Sequence, residues 1–431
     1  MEKPIDTKAI RDLLEINRSA RVDTWLNICS SCGLCAQSCL FYLANGKEPG
    51  MSPGYKLQAT LVELYRRKGR VDRAFLERCR EIVWAECTLC RRCSLYCPFG
   101  IDIAAALGIV RSICHSQGMA PEGLTVASEN YFETGNQMGI SREEFTNTCA
   151  WMAEETAAEI RGLRIPIDKH GASIMYTVSG REPMYYPQEL AMMAKIFTLA
   201  EEDWTMPGAG WDSTNFGLLA GNRALAGQMV KNMYDKALEL GAQRIATTES
   251  GHAYSSAAFE GPYLAGCRDG KPPVPVVHSV RLFYEYLSEG RITIDPDKMI
   301  DEPVTYQDPC NVSRNGGLWR EGREIIGYLA RDFRDMSPGC EYNHCCGGGG
   351  GFTLMGSSYK HARMRAGKIK AEQIKATGAR IVIAPCHNCS DQIKELNREY
   401  SLGVKVLSFK EIISESVMVP ERFRMPQSIE D

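Results

Sequence analysis

Thirteen of the eighteen cysteines in this 431-residue chain fall into three ordered sets, and thiolates at short fixed spacing are ligands for soft metals. Cys29, Cys32, Cys35 and Cys39 read C-x2-C-x2-C-x3-C, and Cys87, Cys90, Cys93 and Cys97 repeat that spacing with Pro98 behind. The third set is wider: Cys310, the adjacent pair Cys345–Cys346, then Cys386-His387-Asn388-Cys389. Structural zinc usually takes paired C-x2-C units separated by a longer loop, whereas here three cysteines arrive together and a fourth follows. Disulfides suit exported chains, and the polar start Met1-Glu2-Lys3-Pro4 does not read as a signal peptide. The first two sets point to iron–sulfur chemistry.

Their spacing is that of the bacterial two-cluster ferredoxin, in which the fourth cysteine of each run ligates the other cluster. Crossed ligation assigns Cys29, Cys32, Cys35 and Cys97 to one [4Fe–4S] cluster. It assigns Cys87, Cys90, Cys93 and Cys39 to the second.

The elements that must position these residues read as follows. The length predicts two or three domains, and a hydrophobic fraction of 44% allows full-sized cores. A net charge of −3 gives no electrostatic argument for nucleic acid. No run approaches eighteen apolar residues, so no direct membrane span is expected and any membrane role comes through a partner. Many thiols without an export signal point to a reducing, cytoplasmic compartment. Residues 1–28 are polar and partly helical. Residues 57–81 have helical spacing and are expected to pack the two cysteine loops together; Ile103–Ser116 reads as another helix, with Ile103, Leu107, Val110 and Ile113 on or near one side. Residues 1–165 thus read as a helical ferredoxin-like domain.

From Ala172 short apolar strands alternate with helical segments, the mark of an α/β layer. Gly241–His252 aligns without gaps against Gly378–Cys389, each behind an amphipathic helix (224–240 and 361–377). An internal duplication is expected, with modules at 166–300 and 301–431. Glu249 and His252 stand where the second copy has Cys386 and Cys389, and nothing near Gly208–Gly217 replaces Cys345–Cys346. The glycine run Gly347–Gly351 lacks the Lys-Ser/Thr of a phosphate loop and the setting of a dinucleotide fold. It reads instead as a turn that lets backbone approach an inorganic cluster closely.

Adjacent cysteines cannot easily serve one iron of a cubane, because their side chains diverge. The order Cys310, Cys345-Cys346-Gly347, Cys386-x-x-Cys389 resembles the cysteine-rich "CCG" domain of heterodisulfide reductases and their relatives. A two-cluster domain followed by duplicated CCG modules is similar to the HdrD-like and DsrK–TmcB–HmcF family of CCG-domain iron–sulfur subunits, from about Cys29 to Cys389. Ala200–Trp204 and Thr248–His252 also look like the degenerate first module of the DsrK type. The departure from HdrD is that only one complete CCG motif remains.

The resemblance implies an α+β and α/β fold: a helical ferredoxin-like two-[4Fe–4S] domain, then duplicated CCG modules. It implies one noncubane [4Fe–4S] cluster held by Cys310, Cys345, Cys346, Cys386 and Cys389, beside the two cubanes. The implied activity is that of an oxidoreductase acting on sulfur groups, as in sulfate respiration. Electrons would pass from integral membrane redox subunits such as a cytochrome b, through the cubanes, to a disulfide or trisulfide substrate such as a DsrC-like protein. The chain would then sit peripherally on the inner face of the cytoplasmic membrane. An electron relay for a flavin dehydrogenase of the glycolate or glycerol-3-phosphate type combines the same modules, and a structural zinc protein is the third class.

His252 and His387 lie in the two ligand loops, either as proton donors or bonded to loop backbone. Glu249 either joins them in catalytic proton supply, shapes the entrance electrostatically or is structural. Cys79, Cys114, Cys149, Cys267 and Cys340 read as buried thiols, with Cys340 close enough to Cys345 to approach the site. Met184–Tyr186 and Met192–Met193 read as core.

Overall fold

A computed structural model describes residues 4–425; the polar start at Met1–Lys3 lies outside the described residues, as does the end of the 301–431 stretch. The chain is mixed helix and strand, with two parallel sheets.

The N-terminal part is helical. Asp6 and Ser19 cap the helices Thr7–Ile16 and Ala20–Ile28 through their side-chain oxygens. The helical stretch expected over 57–81 is broken in two. Lys68 and Gly69 take left-handed backbone (φ 51° and 71°), so one helical run ends at Arg66 and the next begins at Arg73 behind the Asp72 cap. Ile103–Ser116 forms as expected, capped by Asp102. It is buried on nearly every side rather than on one face, because it passes between both cysteine runs and the α/β part.

The first sheet has strand order β2-β1-β3-β4, from β1 (Ile174–Thr177), β2 (Trp204–Thr205), β3 (Arg244–Thr247) and β4 (Val276–His278). The second has order β5-β6-β7, from β5 (Val304–Tyr306), β6 (Ile381–Ile383) and β7 (Lys405–Leu407). Every pairing is parallel, which requires crossover helices. The aligned segments occupy interior positions: β3 lies between β1 and β4, and β6 between β5 and β7. Their preceding helices are Arg223–Glu239 and Lys360–Thr377.

One apolar core joins both sheets, with Tyr176 and Phe197 beside Tyr306 and Phe409 in the same cluster. A second joins the helical part to the 304–394 region, holding Leu61, Trp84 and Val110 together with Cys345, Cys346 and Ile393. Packing therefore holds the cysteine loops against one another instead of leaving them on separate bodies.

Candidate metal centre

The two ferredoxin-type runs fold onto each other. Gly33 (φ 81°) turns the chain after Cys32, and Leu89 (φ 56°) and Arg91 (φ 59°) turn it on either side of Cys90. Burial raises the Cys35 thiol, and the neighbouring Cys29, Cys97 and Cys32 push it the same way. Burial likewise raises Cys93 well above the ordinary thiol range, reinforced by Cys90, Cys39, Cys87 and Cys35. Each neighbourhood thus draws cysteines from both runs. Gly54 lies over the first group, where a Cβ would stand 3.7 Å from the Cys35 sulfur and 3.9 Å from that of Cys29.

The third set gathers beside the second group. Cys345 adjoins Cys310, Cys346 and Cys90, and Cys346 adjoins Cys345 and Cys389. Cys386 is held down to about 6 by Cys389, helped by the Gly251 N–H. Contact with Cys345 pushes Cys90 upward. The terminal group therefore lies beside the relay group. Gly347 and Gly348 donate N–H groups to the Cys345 and Cys346 sulfurs at 3.4 Å each. The glycine run is also a spacer: a Cβ on Gly348 would meet Gln392 Cβ at 2.7 Å, and one on Gly350 the Thr88 backbone at 2.8 Å. It thereby holds the terminal loop against the relay loop.

This donor set fits iron–sulfur clusters: thirteen thiols in three convergent groups, glycines where backbone must come close, and backbone N–H groups aimed at sulfur.

The histidines and Glu249 divide their roles. His252 lines a cleft of about 840 Å³ whose floor includes Cys310, Cys345 and Cys389. Its Nε2 lies 2.7 Å from the Asn215 carbonyl, so that nitrogen carries a proton, and burial lowers its pKa. His387 lines a separate cavity of about 350 Å³. Its Nε2 meets Glu189 at 3.0 Å; burial opposes its charge, but Glu189 and Glu182 outweigh that and raise it to about 9. Glu249 faces neither sulfur group. Its carboxylate accepts the Phe409 and Lys410 N–H groups (3.0 and 3.2 Å) at the start of the helix Phe409–Ser416, and burial raises it to about 7. Of the expectations for Glu249, this arrangement supports the structural one.

Sequence reasoning missed the charges that hold these loops. Arg314 donates to the carbonyls of Glu341 and Cys90 (2.8 Å each) and to Asn343 Oδ1 at 2.6 Å, tying the relay loop to the segment before Cys345. Its position four residues after Cys310 was the available signal. Lys410 is fully buried between Glu182 (2.8 Å) and Glu189 (2.6 Å). Glu182, Glu189 and His387 could group around a metal ion, but the Lys410 ammonium already bonds both carboxylates. Two minor expectations are corrected. Met184 and Tyr185 are exposed at the end of a short helix, although Met193 is core. Cys79, Cys114 and Cys149 are buried, but Cys267 and Cys340 are only half-buried, because each sits at a loop turn.

Residues 25–101 match the 4Fe-4S dicluster domain, and residues 304–394 match the cysteine-rich domain CCG. The Hdr-like menaquinol oxidoreductase iron-sulfur subunit 2 of Archaeoglobus fulgidus is 25% identical over 97% of this chain and 84% of its own length. The chain resembles the HdrD-like iron–sulfur subunits. A dihydromethanophenazine:CoB–CoM heterodisulfide reductase subunit of Methanosarcina barkeri is 23% identical, covering 91% of this chain and 94% of that protein. An Hdr-like menaquinol oxidoreductase iron-sulfur subunit of Archaeoglobus profundus is 24% identical over 89% and 77%. Over most of its length the chain is thus similar to Hdr-like iron–sulfur subunits, with a dicluster match and a cysteine-rich match at the three cysteine sets. No helix among the described residues is long and apolar enough to cross a membrane.

Proposed function

We propose that this chain is the cytoplasm-facing iron–sulfur subunit of a membrane-bound redox complex and interconverts a disulfide and two thiols in the 840 Å³ cleft. The observation that carries this is the cleft lined by all five cysteines of the third set, with Arg314 holding its edge to the Cys90 carbonyl of the relay loop at 2.8 Å.

Cys29, Cys32, Cys35 and Cys97 would hold one cubane, and Cys87, Cys90, Cys93 and Cys39 the other. Cys310, Cys345, Cys346, Cys386 and Cys389 would hold a noncubane cluster. When bound, these groups supply single electrons, at potentials set by hydrogen bonds to sulfur and by solvent exposure.

The protein's own residues do the rest. Arg91, held by Asp102 at 3.1 Å and Glu260 at 3.0 Å, fixes one wall of the cleft. Gly251 donates its N–H to Cys386, so the cysteine-free loop still serves the terminal group. Reducing a disulfide takes two electrons and two protons and yields two thiols. Neutral His252, with Nε2–H on the Asn215 carbonyl, presents Nδ1 to accept a thiol proton; once charged it returns that proton in the opposite direction. Glu249 acts as a positioning residue, tying the β3 loop to the helix Phe409–Ser416.

The reading of 166–300 and 301–431 as duplicated modules is supported by the matching interior places of β3 and β6, each followed by a loop at the terminal cysteines. A membrane cytochrome b as electron donor and a DsrC-like protein as substrate rest on the resemblance to multi-subunit relatives.

The test is viologen-linked disulfide reduction by anaerobically purified holoprotein, with parallel electron paramagnetic resonance (EPR) of the reduced clusters. Cys389→Ser should abolish turnover while both cubane signals persist. Full turnover in that variant would refute the terminal site.

A further inference from the structure

The side chain of Arg111 is the most thoroughly enclosed cation in the relay. It lies on the helix Ile103–Ser116 and is fully buried. Its Nε and Nη2 donate to the Val83 carbonyl at 3.0 and 2.7 Å, and Nη2 also to the Cys87 carbonyl at 3.2 Å. Nη1 donates to the carbonyls of Leu219 at 3.0 Å and Gly350 at 2.8 Å. The guanidinium stands over the Trp84 ring at 5.5 Å, and the Trp84 indole N–H reaches the same Leu219 carbonyl at 3.1 Å.

Every one of these acceptors is a neutral carbonyl. No carboxylate bonds Arg111 among the described residues, whereas Arg91 in the cleft wall has two. A guanidinium stays charged in proteins, and burying a charge without an ionic partner costs several kcal/mol, on the order of the effective desolvation penalty. Carbonyl dipoles offset part of that. The remainder calls for an anion, and the Nη2 bond to the Cys87 carbonyl at 3.2 Å sets this charge beside a proposed cluster ligand.

We propose that Arg111 is a positioning residue with two tasks: it supplies a fixed positive charge that favours the reduced form of the cluster held with Cys87, and it locks three segments around that cluster. Those segments are the relay loop at Val83–Cys87, the first α/β layer at Leu219, and the glycine run at Gly350. A one-electron reduction adds one negative charge to the cluster without breaking a covalent bond. A buried cation therefore raises that cluster's midpoint, and leaves the more distant Cys29 set much less affected. Lys56, another buried cation near Cys87, is partly offset by its own anion: its ammonium bonds the Glu86 carbonyl and lies 4.0 Å from the Glu86 carboxylate. Arg92 and Arg314 add charge at the other end of the set, where they bond the Ser38 and Cys90 carbonyls.

The inference rests on the reading that the Cys87 set holds a cluster, and the experiment separates the two. Holoprotein, Arg111→Met and Arg111→Lys are purified anaerobically, analysed for iron and sulfide, and titrated potentiometrically with EPR detection. In Arg111→Met, one relay cluster should show about a tenfold lower reduced-to-oxidised ratio at its wild-type midpoint, about 59 mV for a one-electron couple. The other relay cluster should stay within about threefold. Arg111→Lys retains the charge and should stay within about threefold at both, although a point ammonium cannot span four carbonyls and the protein should lose clusters faster on warming. Unchanged midpoints in Arg111→Met with clusters in place would overturn the inference. Should Arg111→Met not assemble, a tenfold fall in Arg111→Lys would overturn it, because the charge is still there. Wild-type protein without two reducible relay clusters would instead refute the cluster assignment.

Discussion

Gly350→Ala tests whether the glycine run is a spacer between relay and terminal site. Gly350 has φ +70°, and a Cβ there would lie 2.8 Å from the Thr88 carbonyl carbon and oxygen and 2.9 Å from its Cα. Thr88 lies one residue past Cys87 and two before Cys90, so its backbone cannot retreat without moving ligands. Left-handed backbone costs an alanine ~1–2 kcal/mol, and overpacking against a fixed neighbour adds ~1–3 kcal/mol. Displacing the loop also strains the Arg111 bond to the Gly350 carbonyl at 2.8 Å, a charged hydrogen bond worth ~1.5–3 kcal/mol. These contributions overlap, so a loss of about 3–5 kcal/mol is expected. The control is Gly290→Ala: φ is +69° but nothing stands within 4 Å of the added Cβ, leaving only the backbone cost. The assay follows cluster absorbance of anaerobic holoprotein in rising urea, alongside the rate at which reduced relay clusters pass electrons to the terminal site. Gly350→Ala should bleach at clearly lower urea than Gly290→Ala and transfer electrons more slowly. Equal midpoints and equal rates in the two variants would refute the spacer argument.

Crossed ligation predicts that Cys97→Ser removes the same EPR signal as Cys32→Ser, while Cys39→Ser pairs with Cys87→Ser; grouping by run instead would refute it. Lys410→Met strands Glu182 and Glu189 in the interior and should destabilise by ~3–5 kcal/mol, partly recovered by adding Glu182→Gln, as read by thermal unfolding. Glu249 has its folded pKa raised to about 7 from an ordinary 4.5, chiefly by burial. The folded state therefore holds that proton more tightly, a contribution present below pH 4.5 and lost as pH rises through about 7. Wild-type stability should fall across that window relative to Glu249→Gln by on the order of 2–3 kcal/mol, and parallel stability curves would refute it.

Some of this was legible in the chain because it is local. Ligand spacing within a run is set by a few bonds, so Cys29–Cys39 and Cys87–Cys97 announced their chemistry without any tertiary information. The helix Ile103–Ser116, with Asp102 before it, was equally plain. The break at Lys68–Gly69 was harder, since the apolar spacing continues across it while the backbone does not. The role of Glu249 was illegible for a different reason. The helix start that its carboxylate binds lies 160 residues further along the chain, and no local pattern reveals such a partner.

The sequence by itself determined which residues are soft ligands, that there are three sets of them, and that short strands alternate with helices, because spacing and periodicity are properties of neighbours along the chain. Only the tertiary structure decided that Arg314 ties the Cys90 loop to the segment before Cys345, that His252 and not His387 faces the cleft, and that Arg111 is enclosed by carbonyls from distant segments. Those facts depend on how separate elements pack, and burial turns such contacts into charge and proton chemistry. A cation on an isolated helix would be screened by water; the same cation enclosed beside Cys87 is not.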